Sequence, residues 1–468
     1  MKLAKCFFGQ LQQSEAVATN YSNLKNYDNE MELNNSRLGL EQEFFIVDLE
    51  GFLSHRADEF LERCCEIAKP NNRSANCFAP EFVKSIVEIN TVPVNNFSEL
   101  KVEYLDLLRI LLKAAQELDL RVYPLSTYPL FTTPVIRNKP NYHLQVSTVG
   151  AGRFDHAAKC TGTHIHLDLP ADVVDRQIGL AYNSPPEARE RVLNIYNLAI
   201  AFDAAIITLS RACPFYQGEV AGKALRTIHY RGSKRFAWQG VYTNLQSVGG
   251  LMPYAETVED LTRQLFNRYH SWLQAMDRAG VDRQMFLDSG GELLTAGWNP
   301  IRLNSIGTVE LRGADSNYPH VTLALVALIS EAANRVRREN LTVRPQVGCK
   351  TFQLQGQKLN VPEFDYLNNE LLYAAVTEGI HNTAIKDYLD SILEFSCHED
   401  SEVGHYLAQF KTTLGEYTTT EAQLLAKFPT TTGTISQADG LALVRYCCDR
   451  LEEEVGYLES GQPDSIRK

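Results

Sequence analysis

Four short stretches of this chain put ionisable side chains on one parity and mostly apolar side chains on the other, and any fold must satisfy all four together. In GLEQEFFIVD (39–48), Glu41 and Glu43 alternate with Leu40, Gln42, Phe44 and Ile46. In SIVEINT (85–91), Glu88 shares a parity with Ile86 and Asn90, opposite Val87 and Ile89. In CTGTHIHLDLP (160–170), His164, His166 and Asp168 fall together, opposite Thr163, Ile165, Leu167 and Leu169. In GTVELRGAD (307–315), Glu310 and Arg312 oppose Val309 and Leu311. Neighbouring side chains of a strand point to opposite faces, so each stretch predicts a strand with one apolar face. A mainly antiparallel sheet with one wet face accepts such strands.

The residue choice on the ionisable parity is unusual. It offers Glu41, Glu43, Glu88, His164, His166 and Glu310, with Arg312 the only cation and no lysine. Brought onto one sheet, these carboxylates repel one another unless cations lie between them. A carboxylate-rich cluster with one or two imidazoles is a divalent-metal site, of magnesium or manganese type. A merely solvated sheet face shows the same alternation, and both readings stand at this level. Magnesium commonly completes its shell with substrate phosphates, which directs attention to 222–240, GKALRTIHYRGSKRFAWQG. That segment carries Lys223, Arg226, Arg231, Lys234 and Arg235 and no acid, in a chain of net charge -12. It reads either as a triphosphate contact or as a solvated basic loop. GEVAGK (218–223) is one residue short of a P-loop and lacks the Ser or Thr after its lysine.

Around these strands the pattern is helical. Asn96, with Glu99 three residues on, opens a helix whose buried face is Leu100, Tyr104, Leu107, Leu108, Leu111 and Leu112. Further helices are expected over 187–212, 256–279, 319–339, 380–396, 402–427 and 437–458, and a further strand over 120–124. The expected organisation is a polar N-terminal arm over 1–35, an α+β domain over 36–345 and a helical portion over 346–468 packed on the same domain. The acidic balance argues against a nucleic-acid partner. The longest unbroken apolar run, 321–330, is far short of the roughly 20 residues of a spanning helix. Ten scattered cysteines without a C-x-x-C pair read as reduced thiols. A soluble, cytoplasmic protein without a membrane partner is expected; its oligomeric state is left open.

Five blocks in order, GLEQEFFIVD, PEFVKSIVEINTVP, CTGTHIHLD, SRACPFYQGEVAGKALR and WNPIRLNSIGTVELRGAD, resemble the glutamate–cysteine ligase-like carboxylate–amine ligases. The resemblance implies a glutamine-synthetase-like, mainly antiparallel catalytic sheet covered by helices. It implies ATP and two or three magnesium (or manganese) ions, held by Glu41 and Glu43 of the G-[VIL]-E-x-E block, Glu81 and Glu88 of an E-x6-E block, His164 and His166 of G-x-H-x-H, and Glu310. It further places Arg312 and Arg302 near phosphate or substrate carboxylate, and Arg226 (with Lys223 beside it) near ATP. Gln42 stands where an acid is common, but on the opposite parity; Ala224 replaces a more usual serine. The implied reaction is amide formation through an acyl phosphate, with glutamate and cysteine as first choice of small-molecule substrates and another amine acceptor as the alternative. Two other classes are weighed beside it: a metal-dependent hydrolase using the H-x-H strand, and a non-catalytic binder of nucleotide or amino acid.

Overall fold

In the computed structural model, residues 37–460 are described apart from 72, 182, 397–401 and 412–415, and the four ionisable stretches pair within one sheet. The arm expected over 1–35 lies outside the described residues. The strands of this sheet are β1 (Leu38–Asp48), β2 (Phe78–Pro80), β3 (Ile86–Asn90), β4 (Leu120–Tyr123), β5 (Gly162–Asp168), β6 (Ile301–Asn304) and β7 (Thr308–Asp315). Their order is β6-β7-β5-β1-β3-β2, every pair antiparallel, with β4 alongside the last residues of β1.

The parity of each strand decides its faces. Leu40, Phe44, Ile46, Val87, Ile89, Ile165, Leu167, Val309 and Leu311 are all buried in one continuous core. Each such side chain withdrawn from water contributes about 1.5–3 kcal/mol. Gln42 follows the same parity and is fully buried, its amide donating to the Asn317 carbonyl (2.7 Å) and its oxygen accepting from the Tyr104 hydroxyl. On the opposite parity, Phe45 and Val47 enter a second cluster with Tyr123 and Tyr128, which closes that end of the ionisable face.

The six longest helices among the described residues are α1 (Phe97–Glu117), α2 (Pro186–Ser210), α3 (Val258–Ala279), α4 (Pro319–Arg338), α5 (Thr383–Ser396) and α6 (Gln437–Ser460). Asn96 caps α1 by accepting from the Glu99 amide at 2.9 Å. Helices α2 and α4 supply much of the core beneath the sheet. From Val192 to Ser210 every residue of α2 is buried, and several of its polar side chains find partners there. Asn197 exchanges two hydrogen bonds with the Ala255 backbone, and Asp203 pairs with Arg231. Among the described residues α2 alone is long and apolar enough to cross a membrane, and its most apolar stretch is wholly buried within the protein. Asn194, Asn197 and Asp203 interrupt its apolar sequence.

Two expectations need correction. Helix was expected over 402–427, but its described parts are Glu402–Leu407, a short turn at 408–410 and Thr420–Lys427. The start of the supposedly helical portion instead contributes to a small sheet of β8 (Thr342–Gln346), β9 (Gln353–Gln355) and β10 (Lys358–Pro362). Gly348 and Gly356, both at positive φ, make the turns that allow it. The described residues from 37 onward form one compact unit.

Candidate active site

The strand register lines up the ionisable residues across the sheet. Glu43 pairs with Glu88 and Glu41 with Asn90 between β1 and β3; Glu41 pairs with His164 between β1 and β5; Glu310 pairs with His166 between β7 and β5, and with Arg302 of β6. Glu81 follows β2 directly, and reaches the same face although no strand periodicity announces it. Three groups result, within each of which one potential ligand atom per residue lies within 4.8 Å of the others: Glu43–Glu81–Glu88, Glu41–Glu88–His164 and Glu41–His166–Glu310. Glu88 belongs to the first two and Glu41 to the last two, so the groups form a continuous row. All seven residues expected as metal ligands lie in it.

The electrostatics differ from one end of the row to the other. At the Glu43 end, burial followed by the charge of Glu81 pushes the Glu43 carboxyl up to about 8, against the pull of Arg226 and Arg312. Burial and the charges of Glu41, Glu81 and Glu43 likewise raise Glu88 well above the usual range. The Gly162 amide donates to Glu43 at 2.7 Å and the Asn90 side chain to Glu88 at 3.0 Å, too few partners for this much negative charge. In the middle, burial pushes Glu41 up, but His166 and His164 together outweigh it and hold the carboxylate low. Burial, then Arg312, drives His164 down to about 4, leaving a neutral imidazole. Its Nδ1 lies 2.8 Å from Glu41 and its buried Nε2 has no hydrogen-bond partner.

His166 behaves differently. Burial lowers its proton affinity, but Glu41 more than reverses this and the net shift is upward. Its Nδ1 meets the Thr308 hydroxyl at 2.9 Å, and its buried Nε2 faces Glu41 Oε1 at 3.2 Å. At the far end, burial favours a neutral Glu310, yet Arg302 and Arg312 overcome it and hold the group well below the carboxylate range. Glu310 accepts from Arg302 Nε and Asn304 Nδ2, both at 2.6 Å, and from Arg312.

The chemistry of this donor set fits divalent cations. Crowded carboxylates with raised proton affinity and the buried, unpartnered Nε2 of His164 are groups that a cation would satisfy. The fit is best over Glu43, Glu81, Glu88, Glu41 and His164. It is weakest at Glu310, whose oxygens are already engaged by two guanidinium groups and an amide.

The arginines divide. Arg302 and Arg312 sit at the Glu310 end, with Arg312 Nη1 also 3.4 Å from His164 Nδ1. Arg226 is buried and donates to the Arg312 carbonyl at 2.6 Å. Lys223 is exposed and forms no hydrogen bond or ion pair within the described residues. The basic segment is less basic in space than in sequence, because Arg231 turns inward onto Asp203 at 2.8 Å while Lys234 and Arg235 are exposed. Asp168, expected on the histidine face, closes its strand by pairing with Arg37 at 2.9 Å and joins none of the three groups. Beside Arg312 a cavity is lined by Ile207, Arg226, Tyr230, Arg231 and Trp298. Periodicity did not single out Tyr230 or Trp298; their signal was only that each lies in or next to a quoted block. His229 stacks on His156 and His320 pairs with Glu454, so neither completes a multi-histidine zinc site with His164 and His166.

Comparison with known proteins gives the family and the fold. The family described as glutamate–cysteine ligase family 2 matches residues 37–368. Two Frankia proteins carry related names. The one of Frankia alni, named glutamate–cysteine ligase 2-3, is 26% identical over 235 residues, 49% of this chain and 23% of its own length. The one of Frankia casuarinae, glutamate–cysteine ligase 2-2, is 26% identical over 232 residues, 48% and 23%. The matched part thus spans about a quarter of these relatives.

Among solved structures, the glutamate–cysteine ligase of Francisella tularensis in complex with AMP has a TM-score of 0.57 at 11% identity, covering 92% of this chain and 93% of that one. The bifunctional glutathione synthetase of Pasteurella multocida has a TM-score of 0.50 at 14% identity, covering 92% and 54%. At these identities the likeness concerns the fold, which is that of the ligases. With the family description matched over most of its length, this chain belongs to glutamate–cysteine ligase family 2.

Proposed function

We propose that this protein is an ATP-dependent carboxylate–amine ligase, with glutamate and cysteine as the first substrate pair to test. The observation that carries the reading is the row of three acidic and imidazole groups running into the Arg302–Glu310–Arg312 cluster. Family membership and an AMP-bound ligase of similar fold support it. Magnesium ions held by Glu43, Glu81, Glu88, Glu41 and His164 would supply the charge neutralisation that lets a triphosphate and a carboxylate approach each other.

In this reading a carboxylate oxygen of the first substrate attacks the γ-phosphorus of ATP, the bond to the β,γ-bridging oxygen breaks, and ADP leaves. The amine nitrogen then attacks the acyl carbon, inorganic phosphate leaves, and the nitrogen gives up a proton. Arg312 and Arg302 stabilise the transferring phosphoryl group, for which their forked donors suit planar, delocalised anions. Glu310 holds both guanidinium groups in place, and Glu41 orients His164 and His166. Buried Thr308 fixes the ring of His166 through Nδ1.

The test is ADP formation with magnesium, ATP, glutamate and a panel of amines including cysteine, with product mass read from the same tubes. ADP that appears only when a carboxylate and an amine are both present, with an amide product, is expected. No ADP with any pair from folded, magnesium-loaded protein would overturn the proposal.

A further inference from the structure

We infer that Arg226 is a positioning residue for Arg312, acting through the backbone of β7, and is not itself a nucleotide ligand; this rests on the ligase reading above. The pairing of β5 with β7 shifts register between Leu311 and Ala314: Leu311 faces Ile165 and Ala314 faces Thr163, so Arg312 and Gly313 together oppose the single residue His164. This is a β-bulge, a device that re-aims a side chain and releases a backbone group from the ladder. The re-aimed side chain is Arg312, which it brings to Glu310 and to within 3.4 Å of His164.

Both backbone groups of Arg312 are then held from outside the β5 ladder. Its amide donates to the Pro300 carbonyl at 2.6 Å, and its carbonyl accepts from Arg226 Nη1 at 2.6 Å. Arg226 reaches that carbonyl by lying flat across Gly162 of β5. A Cβ added at Gly162 would fall 2.3–2.5 Å from three atoms of the guanidinium, so only glycine admits it. The same guanidinium lies 5.6 Å from the Tyr230 ring centre. Arg226 therefore bridges β5 and the bulge of β7: its Nη1 is engaged by the Arg312 carbonyl, while its charge bears on Glu43 from beside the row.

The geometry supplies two independent ways to release the bridge. Arg226→Met removes the donor. Gly162→Ala leaves Arg226 in the sequence but gives its guanidinium a methyl group to avoid, a displacement that a long side chain can make without unfolding the sheet. Amide hydrogen exchange over 312–314, with and without magnesium, reads the clamp directly and needs no catalysis. Steady-state kinetics and calorimetric binding of a non-hydrolysable ATP analogue read its consequence.

Both variants are expected to exchange about tenfold faster over 312–314. Both should lower kcat about tenfold or more while the analogue's Kd and the KM for ATP stay within about twofold of wild type. Arg226→Met combined with Arg312→Lys should be no slower than Arg312→Lys alone, the signature of two residues acting as one unit. Arg226→Lys, which keeps one donor, should recover part of kcat and serves if Arg226→Met does not fold. Unchanged exchange over 312–314 would overturn the clamp, whether or not the ligase reading holds. Altered exchange with weakened analogue binding, or losses that multiply in the double variant, would return Arg226 to the nucleotide. Altered exchange in a protein that ligates nothing would leave the clamp standing and remove the ligase reading.

Discussion

Replacing Glu43 by glutamine should make the metal-free protein more stable and the metal-loaded protein worse at its task. The carboxyl lies beside Glu81 and Glu88 and is pushed from 4.5 up to about 8, first by burial and then by the charge of Glu81. A group with raised proton affinity in the fold contributes stability that is complete below its unfolded value and is lost as pH climbs to its folded value. For Glu43 that window runs from about 4.5 to 8. At pH 7, 2.5 decades above 4.5, the proton that the fold retains costs at most about 3 kcal/mol. Glu43 is only half-buried, so solvent screening brings this to about 1–2 kcal/mol.

Glutamine keeps the acceptor for the Gly162 amide and removes the charge. With about 400 described residues at about 2 cal/mol/K each, 1 kcal/mol corresponds to about 1 °C, so a Tm gain of about 1–2 °C is expected at pH 7. Calorimetric scans in EDTA should show the gap between Glu43→Gln and wild type widening from pH 5 to pH 8. Magnesium at 100 times its Kd stabilises wild type by about 2.7 kcal/mol; the variant should gain markedly less at the same concentration. A variant less stable than wild type in EDTA at pH 8, or one that magnesium stabilises equally, would refute the reasoning.

Three other changes test separate parts of the account. Arg312→Lys should lower kcat about tenfold or more with Tm nearly unchanged, because an ammonium cannot engage Glu310 and a phosphoryl oxygen through one planar fork; kinetics and a melt on the same sample decide it. Asp203→Asn should cost about 3–5 kcal/mol in urea unfolding, since Arg231 would be left buried without its counter-charge. Glu41→Gln removes the carboxylate shared by two of the three groups, so ligation should fall about 100-fold and the magnesium needed for half-maximal rate should rise.

Much of the site could be read before any coordinates, because a strand's period of two turns a list of residues into a list of faces. Glu41, Glu43, Glu88, His164, His166 and Glu310 needed only that rule to be placed together, and the same rule sent Gln42 to the core. Glu81 could not be placed this way, since it follows a three-residue strand and reaches the site from a loop; only its spacing from Glu88 in a family motif pointed to it. Strand β6 is four residues long and escaped notice, so the pairing of Arg302 with Glu310 was not visible. The basic segment misled for the opposite reason. Charge in sequence says nothing of direction, and Arg226 and Arg231 are spent on a backbone carbonyl and on a buried aspartate. The bulge that aims Arg312 leaves no mark in the sequence beyond Gly313, because it depends on two strands about 150 residues apart.

The central claim is that a carboxylate is activated on this sheet by taking the γ-phosphoryl group of ATP. It is tested most directly with glutamate labelled with oxygen-18 in both carboxylates, magnesium, ATP and the amine that supports turnover. One labelled oxygen per released phosphate, read by mass spectrometry, is the result predicted, since the acyl–oxygen bond breaks when the amine attacks. Unlabelled phosphate accompanying amide formation would contradict it.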